Sequence, residues 1–301
     1  MDRYVAIVPT RTIHAAADPP APAAVLDPHH STMTTPSSIT LAIFLVAATV
    51  LSGCSKTDEH ASVVFTKADG QKTTDVNAVE DGSAEYQVIG GRAIPPKAQK
   101  LHRQARLKGE SGDYSAALGL LKQATEIAPD WAYPYYDMAF TYLLQEDPTN
   151  ALLHYRKVDQ LEPNGFFTTK TAIWTLHREE KGIFPQGTYL AFVSLEWTES
   201  EKRNTVVERM TTNIPAFAPA WKEKALLTEG TAQRLAAFEK ALSLDPDAET
   251  YGICVLNKAA LLNSSGKAVE AKQMVEELIS SSSSTLGTKA LAKAMLKTLT
   301  R

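Results

Sequence analysis

The chain has 301 residues, 44% of them hydrophobic, and its 31 Lys and Arg nearly balance 34 Asp and Glu. That length suits one sizeable domain or a repeat array with tails. The charge balance, still 29 bases against 31 acids beyond residue 53, argues against nucleic-acid binding, which relies on a basic surface to displace counterions from phosphates. With Cys54 and Cys254 as the only cysteines, the chain by itself builds neither a disulfide framework nor a four-cysteine zinc site.

Residues 1–32, with Pro19-Pro20, Pro22 and Ala-rich stretches, read as a non-folding leader or as a start assigned too far upstream. Residues 33–53 have the layout of an export signal. From Ile39 to Leu51 the chain runs ITLAIFLVAATVL, thirteen residues without a charge, and Ser52, Gly53 and Cys54 follow at once. A membrane-spanning helix needs about 20 apolar residues, whereas a signal-peptide core needs roughly 7 to 15 before small residues.

The string Leu51-Ser52-Gly53-Cys54 resembles the lipobox of bacterial lipoproteins. The resemblance implies that the Cys54 thiol is lipidated with acyl chains such as palmitate and becomes the first residue after cleavage. Two chains on one residue anchor stably where one binds only marginally. Met33–Thr40 departs from the pattern in having no Lys or Arg; a start at Met33 supplies one positive charge through its amine. Ser55 after the cysteine implies, by the same resemblance, sorting to the outer membrane. The expected location is therefore the cell envelope, lipid-anchored and facing the periplasm.

Residues 54–96 are rich in Ser, Thr, Asp, Gly and Lys and end in Gly90-Gly91 and Pro95-Pro96. They read as a flexible tether, with a reach on the order of 35 Å as a random coil. Short strands around Val63–Phe65 or Tyr86–Ile89 fit the local alternation.

Residues 97–300 are helical in period, and two units repeat. In residues 98–131, Ala105, Gly112-Asp113-Tyr114, Ala117, Leu121, Ala124 and Pro129 recur in kind as Tyr135, Ala139, Tyr142, Ala151, Tyr155 and Pro163 in residues 132–165; Pro163 follows Pro129 by 34 residues. That step and these residue types resemble tetratricopeptide (TPR) repeats. The resemblance implies an all-α, right-handed superhelical solenoid of helical hairpins, each too small to bury its apolar face alone. Further on, Pro163 to Pro215 is 52 residues, which is one unit plus 18, and an extra helix near Phe166–Lys181 accounts for the excess. Trp221, Phe238, Ala241 and Pro246 mark a shortened unit; Ala259, Gly266, Ala271 and Leu278 mark a last hairpin, with Thr285–Leu299 as a closing helix.

By the same resemblance, the first helix of each hairpin faces a concave groove that holds a peptide or partner protein. On the second unit this gives Tyr133, Tyr136, Phe140, Leu143 and Leu144, and on the first Gln99, His102 and Arg106. Aromatic rings suit this because they bury a large area at low entropy cost. The competing reading packs the same rings between hairpins. Catalytic signals are poor: His102, His154 and His177 are isolated, and no metalloprotease, serine-hydrolase or phosphate-loop motif is present. His177-Arg178-Glu179-Glu180 reads as a solvated helix face, and Cys254 as a small core residue. The expectation is a scaffold without catalytic residues, metal or cofactor, bound to the membrane through Cys54 and to a protein or peptide through its groove. The alternatives are an envelope enzyme and a small-ligand or peptidoglycan-binding lipoprotein.

Overall fold

A computed structural model describes residues 62–66, 71–73, 85–89 and 94–299. The expected leader and export signal (1–53) and Cys54 lie outside the described residues. Beyond residue 94 the described chain is a succession of twelve α-helices.

The first hairpin is α1 (Pro96–Glu110) and α2 (Tyr114–Ile127); the second is α3 (Ala132–Leu144) and α4 (Pro148–Leu161). Both turns are built alike, 34 residues apart. Gly112 and Glu146 take the left-handed conformation, with φ of 79° and 58°. Asp113 and Asp147 follow and cap the second helices by accepting from Ala116 N and Asn150 N. A carboxylate there satisfies orphan backbone donors and complements the helix dipole. These hydrogen bonds hold both carboxyls below their usual range.

The small residues expected at close approaches are enclosed: Ala105, Ala117, Ala124, Ala139 and Ala151 are buried, with Leu121 and Tyr155 filling the spaces between helices. Burying Tyr155 completely removes on the order of 200 Å² from water, which no single hairpin could do.

Three helical segments occupy the interval between Pro163 and Pro215: α5 (Thr169–Glu180), the short α6 (Thr188–Val193) running into a 3-10 turn at Ser194–Trp197, and α7 (Ser200–Asn213). The expected extra helix starts three residues late, because Phe166 and Phe167 form the turn before it. Then come α8 (Ala218–Leu227), α9 (Thr231–Leu242), α10 (Ala248–Ser264), α11 (Ala268–Ser280) and α12 (Leu286–Leu299). Successive helices pack on one another, and their buried apolar residues form layers through the stack. From residue 94 to 299 the protein is thus an all-α helical-repeat solenoid of TPR-like hairpins.

Two features depart from a simple array. The segment read as a tether contains three short strands, β1 (Ser62–Thr66), β2 (Lys72–Thr73) and β3 (Glu85–Ile89). They pair antiparallel in the order β2-β1-β3, and β1 and β3 lie against α12. Second, α5 packs against α10. In a simple solenoid each unit touches only its neighbours, so this contact makes the array curl back on itself.

Candidate functional site

The aromatic row of α3 follows from helical spacing, since residues three and four apart share a face. Its environment comes from distant chain. Tyr133 makes edge-on contacts with His102 at 5.0 Å, Phe166 at 5.6 Å and Phe167 at 5.3 Å. Tyr136 packs on Tyr155 at 5.5 Å and on the same two phenylalanines. Its hydroxyl shares a hydrogen bond of 3.0 Å with Thr168 Oγ1, which shares another of 3.0 Å with Tyr189 OH. Phe140 lies one turn on, against Trp197 at 5.6 Å.

The predicted groove residues therefore divide. Tyr136, Leu143 and His102 are buried, and His102 Nε2 bonds Asp137 Oδ2 at 2.8 Å. These three therefore do not face a partner: the turn at Phe166-Phe167 covers Tyr136, Asp137 with Trp131 and Tyr133 encloses His102, and Leu143 lies in the core cluster that includes Ala139, Ala151 and Leu152. Tyr133, Phe140, Leu144, Gln99 and Arg106 are half-buried and keep one side to solvent; Gln99 Nε2 donates to Ile94 O. Trp131 and Trp197, both half-buried, extend the aromatic wall beyond the expected groove residues. Tryptophan at an edge, with an amphipathic ring, was the available signal.

The covering turn is held by the far end of the chain. Gly165 has φ of 104°, and a Cβ there would meet Thr285 at 2.9 Å, so only glycine fits. The next residue pair completes the clamp, with Leu286 N donating to Asn164 O at 2.7 Å.

The α5–α10 contact is polar. Lys170 N and Thr171 N donate to the two oxygens of Glu249, and Thr171 Oγ1 donates to Glu249 and to Asp247. Glu249 thereby caps α5 from 78 residues away. Asp247 also caps α10 itself, accepting from Glu249 N and Thr250 N. Trp174 Nε1 reaches Asp245 O at 3.0 Å, and Arg178 lies over the Trp174 ring at 3.8 Å. Burial, reinforced by Asp247, pushes the Glu249 carboxyl up to about 8 against the pull of the two backbone donors. A second glutamate does similar work nearby: Glu179 accepts from Gly187 N and Tyr189 N, and burial raises it.

The residues with chemical potential elsewhere are spatially separate. Cys254 is buried in α10, and burial pushes its thiol up to about 12, which keeps it protonated. His154 lies between the rings of Tyr135 and Tyr142. His177 bonds Glu180 on an exposed face. Among the described residues no group of three or more His, Cys, Asp or Glu is placed to hold a metal ion.

Fold and site define a helical-repeat protein with an aromatic wall and a polar closing contact. No protein-family model matches the chain, and no curated protein matches its sequence. Among solved structures it is similar to MamA from Desulfovibrio magneticus RS-1, at 19% identity over 62% of this chain and 94% of that one, with a TM-score of 0.31. It is also similar to TTC0263, a thermophilic TPR protein of Thermus thermophilus, at 19% identity over 66% and 99%, with a TM-score of 0.29. A third is YrrB, a TPR protein described as having an unusual peptide-binding site, at 16% identity over 66% and 92%, with a TM-score of 0.29.

Proposed function

We propose that this chain is a lipid-anchored scaffold of the cell envelope that captures a protein or peptide partner on the aromatic wall of its first two hairpins. The observation that carries the reading is the state of Tyr133 and Phe140. Each keeps part of its ring open to solvent; Tyr133 is held edge-on by Phe166 and Phe167, and Phe140 is held by the tilted ring of Trp197. Rings held rigid before a partner arrives lose little entropy on binding, which is what makes aromatic anchors dominate interfaces. The partner that suits such a wall is an apolar or amphipathic segment with side chains at helical or extended spacing.

The test is cross-linking in cells with native chain and with a Tyr133→Ala, Phe140→Ala variant. Tyr136 is left intact, because truncating that buried ring would open the core. Loss of one defined partner, with unchanged circular dichroism, is the expected result. An unchanged partner set would move the binding site off this wall.

Anchoring is tested separately. Cys54→Ser is expected to leave the precursor uncleaved and easily extracted from membranes, because no acyl chains can then be attached. A variant that stays tightly membrane-bound with unchanged electrophoretic mobility would remove Cys54 from the reading.

A further inference from the structure

Helix α1, the first helix after the tether, is unlike the rest of the chain in charge. It carries Lys97, Lys100, Arg103, Arg106 and Lys108 against a single acid, Glu110. The helix is therefore at +4, within a chain whose total is −3. Burial sorts the helix into two faces. Ala98, His102, Ala105 and Gly109 are buried, while Lys97, Lys100, Arg103, Gln104, Leu107 and Lys108 are exposed at the three- and four-residue spacing of a single stripe.

Three of these bases, Lys97, Lys100 and Arg103, make no ion pair among the described residues. Leu107 stands near the C-terminal end of the stripe, beside Lys108, and is 61% exposed. It borders a shallow depression that it shares with Gln104, Lys108, Ser111 and Leu120 of α2. One repeat later the equivalents of Gln104 and Lys108 are Met138 and Tyr142, packed against Leu118, Leu120 and Leu121 of the preceding helix. The basic stripe is thus the surface that an earlier hairpin would cover, carrying cations where the next repeat carries core.

We propose that this face of α1 docks on an anionic phospholipid surface and holds the front of the array against the membrane. The inference rests on the anchored-scaffold reading, under which Cys54 lies 42 residues upstream of α1. A cationic stripe with three unpaired bases, 42 residues along the chain from such an anchor, supplies the second of two membrane signals, and the exposed leucine beside Lys108 adds apolar insertion at headgroup level. An acidic protein would need an apolar side chain placed for Leu107 as well as acids placed for each base, whereas an anionic lipid surface offers both without a specific arrangement.

The experiment uses the full chain with Cys54→Ser, so that it does not depend on lipidation, and with Leu107→Cys carrying a polarity-sensitive dye. Cys254 is buried and does not compete for the label. The apolar run at 39–51 is the same in every sample, so a difference between vesicle compositions or between charge variants reports on α1. A blue shift is expected on vesicles of equal parts phosphatidylglycerol and phosphatidylcholine and not on phosphatidylcholine alone. High salt should reverse it, and Lys97→Glu, Lys100→Glu, Arg103→Glu should weaken it on the order of a hundredfold. All three positions are exposed, so folding is retained and checked by circular dichroism. A shift that is equal on neutral vesicles, or that survives the triple reversal, overturns the proposal. A shift produced by polyglutamate but not by the anionic vesicles also overturns it, and assigns the stripe to an acidic protein. Failure here leaves the Cys54 processing result untouched, and failure there leaves this one untouched.

Discussion

Phe217→Ala is expected to destabilise the protein by about 3–5 kcal/mol. The ring is fully buried and sits where three segments meet. It contacts Trp174 of α5 at 6.2 Å, Phe184 of the following loop at 5.5 Å, and Phe192 of α6 at 5.4 Å. Its backbone starts α8, with Ala220 N donating to Phe217 O. Truncation would remove the transfer energy of the ring and leave a cavity lined by other rings that cannot all collapse inward. Because stacked repeats are stabilised by interfaces between neighbours, the loss should also split the urea transition, the helices before α7 and those after it no longer melting together. Phe217→Leu keeps most of the volume and should cost about 1 kcal/mol, while Val269→Ala, at a site 85% exposed, should stay within about 0.5 kcal/mol. A Phe217→Ala cost below about 1 kcal/mol would mean that the middle of the stack is loosely packed.

The first two hairpins were legible because everything that makes them is local. Ala105 and Ala139, Asp113 and Asp147, Pro129 and Pro163 repeat at one step, and each acts within its own turn or against its neighbouring helix. What covers the groove was not legible. Helical spacing puts Tyr133, Tyr136 and Phe140 on one face, but it does not say that Phe166 and Phe167 fold back onto that face, since the turn is fixed by Gly165 meeting Thr285, 120 residues away. The α5–α10 contact was hidden for a related reason. Asp247 acts locally as the cap of its own helix, and nothing near Glu249 in the sequence announces that it caps a second helix far upstream. The basic stripe of α1 was visible in principle, but a charge total taken over the whole chain averages it away.

The closing contact between α5 and α10 is expected to give the protein a stability that falls as pH rises from about 4.5 to about 8. The sign follows from Glu249. Unfolded, its carboxyl ionises near the model value of 4.5; folded, it holds its proton to about 8, because burial and Asp247 oppose the charge. Between these values the native state binds more protons than the unfolded one, so each rise in pH favours unfolding, by on the order of a few kcal/mol across the window. Glu249→Gln removes the ionisation and keeps an oxygen to accept from Lys170 N or Thr171 N. Its stability relative to the native chain should therefore climb with pH, measured by urea unfolding at about pH 5 and about pH 9. The difference between the two chains isolates Glu249 from its charged neighbours, Asp247 and the Lys170 that pairs with Asp159. If both chains lose or gain stability in parallel, Glu249 is ionised throughout. The two backbone donors of α5 and the helix dipole behind them would then outweigh burial, and the curl of the array would be held by a charged cap that pH in this range does not loosen.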